Sequence, residues 1–193
     1  MKKNILIGAL ILLIATLLIL STREKSANRE IGVQSQMEHM QGGMNHSQMM
    51  VTNEKDFIEG MIPHHQEAID TAKEVLERGN VTPGINELLE NIVAAQTQEI
   101  ESMKAWYQDW YGTPYQADAS EYSHMMRSLE GLSGKEIDQT FLEDMIFHHM
   151  GAIMMARSVA PYAEHEEIKN LTQAIIQTQA KEIDQMQQML QGM

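Results

Sequence analysis

Two segments of the chain carry nearly the same pattern, FIEGMIPHHQEAIDTAK at residues 57–73 and FLEDMIFHHMGAIMMAR at residues 141–157. In both segments apolar residues recur at intervals of three and four, which predicts amphipathic helices. A second pair follows at nearly the same offset, IVAAQTQEIESM at 92–103 and IIQTQAKEIDQM at 175–186. Such a helix cannot bury its apolar face alone. The repeat therefore predicts an all-α fold, a four-helix bundle made of two duplicated helical hairpins.

The repeat also predicts where the parts of the bundle lie. We expect the bundle at residues 54–193, with a first hairpin at 54–107 and a second at 133–193. The crossover between them, residues 108–132, is predicted to contain a short helix near 119–130.

Residues typical of helix caps lie near the predicted ends of the helices. Each of the first three predicted helices has a polar or proline start signal or a glycine stop signal near an expected end. These signals are Asn53 and Gly79–Asn80 for the first helix, Thr82–Pro83 for the second, and a Ser133–Glu136 capping box for the third. Pro63 predicts a local kink in the first helix.

The N-terminus is typical of a segment that directs a chain to a membrane. Lys2 and Lys3 precede an unbroken apolar run at residues 5–20. This run is short for a spanning helix and long for the core of a signal peptide. We interpret residues 1–22 as a signal anchor rather than a cleaved signal peptide. The bundle then lies outside the cytoplasm, in the periplasm or at the cell surface, and it is secreted if the segment is cleaved.

Residues 23–53 predict a flexible tether that is rich in methionine and histidine. Gly42, Gly43 and many polar residues interrupt any helical period there. Thioether and imidazole suit copper, especially Cu(I), although a plain linker that happens to contain methionine is the alternative. The tether residues predicted as low-affinity ligands are Met37, His39, Met40, Met44, His46, Met49 and Met50.

The amino-acid composition excludes several kinds of site and partner. The chain has no cysteine, which excludes disulfides and thiolate metal sites. Residues 1–30 contain five of the 14 basic and two of the 27 acidic residues, so the remainder has a net charge of −16. Such a surface repels nucleic acid and anionic lipid, and no nucleic-acid partner is expected.

The histidine pairs lie on the faces predicted to be buried. His64 and His65 fall in the apolar stripe of the first helix, and His148 and His149 fall in that of the third. A lone buried histidine is usually only a hydrogen-bonded core residue. Two pairs in register, each with a methionine three residues earlier, favour a metal site. The predicted metal ligands are Met61, His64, His65, Met145, His148 and His149.

The second and fourth helices add polar groups to their apolar faces. Glu99 and Glu182 either touch metal or orient the histidine rings, and the sequence leaves both readings open. Met103 and Met186 are less certain ligands, and core packing is the favoured reading. Gln96 and Gln179 are interpreted as partners that hold the rings from outside the ligand set.

Together, the segments MIPHH, MIFHH and the paired Q-x-x-E-I-x-x-M resemble the domain-of-unknown-function 305 family over residues 54–190. That family is ferritin-like and includes CopM-type periplasmic copper-binding proteins. The resemblance implies an exported helical bundle linked to copper binding and tolerance. It places the metal site at the same two methionines and four histidines.

The residue types favour copper over iron. Di-iron bundles use Glu-x-x-His, whereas this chain has Met-x-x-His at the same spacing. Thioether shifts the preference toward Cu(I), and imidazole can retain Cu(II). Zinc remains open through the imidazoles alone.

We therefore expect a binding protein for copper buffering and homeostasis, not an enzyme. The alternatives are a ferritin-like metal oxidase and a structural bundle whose histidines pair with the buried glutamates. Expected partners are the metal ion, the membrane through the N-terminal segment, and a copper-export or delivery protein. A homodimer is a further expectation if Met154 and Met155 are exposed.

Overall fold

Four long helices make up most of the residues that the computed structural model describes, which are 50–79, 81–116 and 124–193. They are α1 (Glu54–Arg78), α2 (Ile85–Tyr111), α3 (Lys135–Val159) and α4 (Glu166–Gly192). A 3-10 turn, Ala160–Tyr162, joins α3 to α4. The described ranges contain no strand. The all-helical architecture predicted from the repeat is confirmed.

The hairpins meet through the two histidine-bearing helices. α1 packs along α2, α3 packs along α4, and the main contact between the hairpins joins α1 to α3. At one end Ser158 Oγ donates to the Val51 carbonyl at 2.7 Å, and at the other Val81 N donates to Asp138 Oδ2 at 2.9 Å. The start of α1 therefore lies beside the end of α3. The two helices run antiparallel and meet near their midpoints.

The contact between α1 and α3 involves both small and large apolar residues. Fully buried alanines occur on both helices and let their backbones approach closely. A core cluster draws residues from all four helices and fills the space beside them. The alanines are Ala68, Ala72, Ala152 and Ala156; the cluster includes Phe141, Leu142, Met145, Ile85, Leu88, Ile92 and Met186.

The two ends of α1 follow the sequence signals. Asn53 Oδ1 accepts from Asp56 N at 2.8 Å, which confirms the predicted N-cap. At the other end Gly79 N donates to Val75 O at 2.8 Å. An added Cβ at Gly79 would lie 2.5 Å from Asp138 Oδ1, so a larger residue would have to displace that carboxylate. α1 runs through Pro63 as a single helix.

Two predicted helix starts are wrong by one or two residues. α2 begins at Ile85, because Gly84 takes the preceding position at φ 80°, and Thr82 contributes its backbone carbonyl to Ile85 N. The Ser133–Glu136 capping box does not form. Gly134, at φ 47°, separates Ser133 from the helix, and Glu136 N donates to the Ser133 backbone carbonyl instead.

The short helix predicted near 119–130 is absent from 124–130, the part of it that the structure describes. Its backbone donors are taken by carboxylates rather than by helical carbonyls. Met125 N donates to Glu67 Oε1 at 2.9 Å, and Arg127 N donates to Asp144 Oδ2 at 2.8 Å. Side chains of α1 and α3 therefore hold this segment in a non-helical conformation.

Some predictions fall outside the described residues. These are the membrane-directing segment 1–22, and the tether ligands Met37, His39, Met40, Met44, His46 and Met49. Met50 is described and is exposed. Within the described ranges, no helix combines the length and apolar character needed to cross a membrane.

Met155 corrects the expectation of an exposed methionine pair. Its side chain is buried, because its sulfur packs against Gly60 of α1 where the two histidine-bearing helices meet. Met154 is half-buried. Met155 therefore does not offer an exposed side chain to a dimer interface.

Candidate metal centre

The histidine-bearing helices bring His64 and His148 face to face. Both residues lie near the midpoint of their helix, and both are almost completely buried, at 2% and 0% exposure. Their ring centroids are 3.7 Å apart, with the planes inclined at 39°. Because α1 and α3 are antiparallel copies, equivalent residues meet at the crossing. The repeat in the sequence thus becomes an approximate two-fold arrangement in the fold.

His65 and His149 point toward the second helix of their own hairpins. His65 Nε2 lies 2.6 Å from Glu99 Oε2, and His149 Nε2 lies 2.7 Å from Glu182 Oε2. An ionised carboxylate has no proton to give, so the imidazole N–H donates. In a tautomer that has its N–H at Nε2, the lone pair is on Nδ1. In this structure the two glutamates orient histidine, which is one of the two roles the sequence left open.

The four rings form a row through the molecule. The centroids of His64 and His65 are 6.2 Å apart, and those of His148 and His149 are 6.5 Å apart. The close pair, His64 and His148, lies in the middle of the row. Each outer ring is held in place by its glutamate.

Buried polar atoms without a hydrogen-bond partner are confined to the predicted site residues within the described ranges. Nine buried side-chain nitrogen and oxygen atoms in the described residues lack a hydrogen-bond partner, and all nine belong to six predicted site residues. A buried polar atom left unpaired costs about 1–3 kcal/mol. A core of this kind fits a bound cation. The atoms are both ring nitrogens of His64 and His148, Nδ1 of His65 and His149, both amide atoms of Gln96, and Gln179 Oε1.

Burial keeps the central rings uncharged. It lowers the pKa of His64 well below the ordinary value of 6.5, and the neighbouring histidines lower it further. Burial also lowers the pKa of His148 to about 4, although the nearby Glu67 carboxylate acts in the opposite direction. Both rings are therefore neutral near pH 7. Their lone pairs are available to a metal without displacement of a proton.

The four methionines predicted as certain or possible ligands are buried. Met61 and Met145 are fully buried, and each lies one helical turn before a central histidine. Met103 and Met186 are also fully buried, and Met186 belongs to the apolar core cluster. In the described part of the chain, no three His, Cys, Asp or Glu side chains are spaced to hold a metal ion. Methionine sulfur is not among those donor types.

The role predicted for the two glutamines, as partners that hold the rings, stays a prediction. Gln96 and Gln179 are buried, yet neither hydrogen-bonds to an imidazole, and both amide atoms of Gln96 are unpartnered. The outer rings already give their N–H to glutamates, and a charged acceptor makes the stronger bond. In this structure the amides do not orient the rings.

Glu67 belongs to the centre and was missed by the sequence reasoning. Its Oε2 lies 3.3 Å from His148 Nε2, although the two atoms do not form a hydrogen bond. The equivalent residue of the second copy is Gly151, so the repeat gave no signal. A signal was still present, because Glu67 follows His64 by three residues and shares its buried face.

Comparison with known proteins agrees with this fold. A family model described as a domain of unknown function, DUF305, matches residues 15–107 and 54–190. The chain belongs to the DUF305 family. No curated protein sequence matches this DUF305 chain.

Solved structures of related proteins resemble this DUF305 chain closely. CopM in its Cu(II)-bound form is 37% identical, with a TM-score of 0.67, over 74% of this chain and 99% of that one. CopM in its Cu(I)-bound form is 39% identical, with a TM-score of 0.62, over 70% and 94%. A DUF305 fragment from Deinococcus radiodurans is 28% identical, with a TM-score of 0.62, over 71% and 94%.

Proposed function

We propose that this DUF305 protein is an extracytoplasmic copper-binding protein that buffers copper or passes it on, in copper homeostasis or tolerance. The observation that carries the proposal is the set of nine unpartnered buried atoms on four histidines and two glutamines. Neutral imidazole and thioether are the donors that Cu(I) prefers, and imidazole also retains Cu(II). CopM, at 37–39% identity, has been crystallised with both ions.

The ligand set follows from the free lone pairs. His64 and His148 offer ring nitrogens at the crossing, and His65 and His149 offer Nδ1 because their Nε2–H is engaged. Met61 and Met145 add sulfur from one turn earlier. Glu99 and Glu182 orient the outer rings and raise their basicity as ligands. We assign Met103 and Met186 to core packing.

A competition titration tests the proposal. In the full chain, substitution of His64, His65, His148 and His149 by glutamine should abolish the tightest Cu(I) binding, measured against a chromophoric Cu(I) chelator. The substitution His165→Gln is the matched control, because His165 is bonded to a glutamate but lies outside the row. Unchanged affinity and stoichiometry in the fourfold variant would refute the proposal.

We further propose that the protein binds copper without turning it over. The two glutamates nearest the row already accept from histidine, and neither α2 nor α4 has a Glu-x-x-His pair. Oxygen uptake on addition of Cu(I) or Fe(II) separates binding from oxidation. Binding predicts no more than one stoichiometric event, whereas sustained uptake identifies a metal oxidase.

The location and partners are part of the same proposal. The apolar N-terminal segment supports a membrane anchor with the bundle outside the cytoplasm, and the tether then serves as a low-affinity collecting arm for a copper-export or delivery protein. Cell fractionation and the mass of the mature N-terminus test the anchor. Elemental analysis of the protein from that compartment tests copper against zinc.

A further inference from the structure

The crossover segment His124–Met126 is clamped to the bundle by one buried carboxylate. Glu67 Oε1 accepts from His124 Nδ1 at 3.1 Å, from Met125 N at 2.9 Å and from Met126 N at 3.2 Å. The His124 side chain is 81% exposed, whereas that of Glu67 is 6% exposed. One side chain therefore links an imidazole at the surface to the interior.

The same carboxylate reaches the candidate centre. Glu67 Oε2 lies 3.3 Å from Nε2 of His148, whose side chain is 1% exposed. Glu67 thus lies between an exposed histidine and a central buried one.

Methionine side chains also lie between this surface segment and the core. Met125 and Met126 are half-buried, and Met126 packs against the core cluster that contains the fully buried Met145. Met150, which directly follows His149, is also half-buried and packs against that cluster. An imidazole and two thioethers in consecutive positions form a donor set suited to a soft monovalent cation. The adjacent carboxylate lowers the cost of bringing that positive charge toward the interior.

We propose that His124, Met125 and Met126 form a surface loading site for Cu(I), from which the ion passes beside Glu67 to His148. This inference rests on the proposed function. The step is a ligand exchange in which coordination bonds to the surface segment break as those to the buried rings form. The oxidation state of copper does not change, so no redox partner is needed.

The structure contains a matched counterpart that should not load copper. Glu54 clamps the start of α4 in the same way, accepting from Glu164 N at 2.7 Å, His165 N at 2.8 Å and His165 Nδ1 at 2.6 Å. His165 stacks on Trp110, with ring centroids 3.7 Å apart, and its chain neighbours are glutamates rather than methionines. The geometry of the clamp is shared, but the sulfur and the link to the row are not.

Stopped-flow transfer from a chromophoric Cu(I) chelator tests the route in the full chain. The variant H124Q/M125L/M126L removes the donors while leucine preserves apolar volume, so the fold should be retained. We expect bundle loading to slow by about tenfold, equivalent to about 1.4 kcal/mol in the barrier, with unchanged final affinity and stoichiometry. The H165Q variant should load at the parent rate. Uptake by the fourfold histidine variant measures all other sites and is subtracted.

The possible outcomes distinguish the loading route from the proposed function. Slower loading at unchanged affinity, with H165Q like the parent, supports the route. An unchanged loading rate in the triple variant overturns the route but leaves the proposed function intact. A lower equilibrium affinity overturns it too, because the segment would then belong to the buried site. If the parent and the fourfold variant bind copper alike, the proposed function itself fails. Ag(I), which is not oxidised under these conditions, should reproduce the same order of rates.

Discussion

His64 and His148 are costly residues for a core that binds nothing. Each ring has two buried nitrogens without a hydrogen-bond partner, and each is held neutral by burial. Leucine would fill a similar space without polar atoms. The cost is explained if the free lone pairs serve a ligand.

Substitution of His64 by leucine should therefore separate stability from binding. We expect the metal-free H64L variant to gain on the order of 1–3 kcal/mol in the free energy of unfolding, because two unpaired polar atoms leave the core. It should also bind Cu(I) more weakly. Denaturant unfolding and chelator competition measure the two effects. The H165L variant is the control and should lose stability, because His165 bonds to Glu54. A destabilised H64L protein with parental copper affinity would contradict this reading.

The central histidines should also make metal-free stability depend on pH. Their pKa is lowered in the folded state, to about 4 for His148, from the ordinary 6.5. Between these values the unfolded chain binds protons that the folded chain does not. The free energy of unfolding should thus fall as pH drops from 6.5 toward 4, by about 1.4 kcal/mol per pH unit for each imidazole.

Carboxylic acids also titrate between pH 4 and 6.5. The pH dependence of the free energy of unfolding must therefore be compared between the parent and a variant. Unfolding of the H64L/H148L protein should be less sensitive to pH in this window than that of the parent. Equal slopes for the two proteins would show that these rings do not carry the effect.

At the scale of the helices, buried carboxylates fix the loops. Glu67 holds the crossover, Glu54 holds the start of α4, and Asp138 accepts from Val81 N and Thr82 N at the α1–α2 turn. Each replaces missing backbone partners at a helix end or in a non-helical segment. The buried carboxylates of the bundle thus have two distinct roles, which are to cap loops and to orient histidines.

Glu99 should act through His65 rather than through the stability of α2. The substitution Glu99→Gln keeps an acceptor for His65 Nε2 but removes the charge. We expect a loss of about 10–100-fold in Cu(I) affinity, the range found when partners of metal-bound histidines are altered. Glu182→Gln should behave alike, because His149 repeats the contact. The control is Glu101→Gln, exposed on the same helix. Equal affinities for E99Q and E101Q would rule out this role.

Sequence reasoning reached the helices but not the segments between them. The 57–73 and 141–157 repeat predicted four helices and a shared core, because hydrophobic period is a local property. The Ser133 capping box and the crossover helix failed because Gly134 and the distant acceptors Glu67 and Asp144 decide the backbone there. A single chain without coordinates does not show which carboxylate takes which N–H.

The candidate site was predictable for the same reason, and only in part. His64, His65, His148 and His149 are marked by repetition, and so are Glu99 and Glu182. Glu67 is not, because Gly151 replaces it in the second copy. Glu67 therefore breaks the two-fold symmetry of the repeat. For that reason only the structure reveals it.

At the scale of the whole molecule, a ligand for the row must stabilise the fold. A metal that binds only the folded state raises the free energy of unfolding by about 2.7 kcal/mol at a free concentration 100 times its Kd. We expect Cu(I) to raise the melting temperature of the parent. The fourfold histidine variant should show no such shift. A parent melt unmoved by Cu(I) or zinc would favour the purely structural bundle.

The most direct measurement is an anomalous difference map at the copper edge, from crystals of the full chain loaded with Cu(I). Our account predicts a strong peak between α1 and α3, at bonding distance from nitrogens of the His64, His65, His148 and His149 row. A map whose peaks all lie away from these rings, on the surface or at the tether, would contradict it.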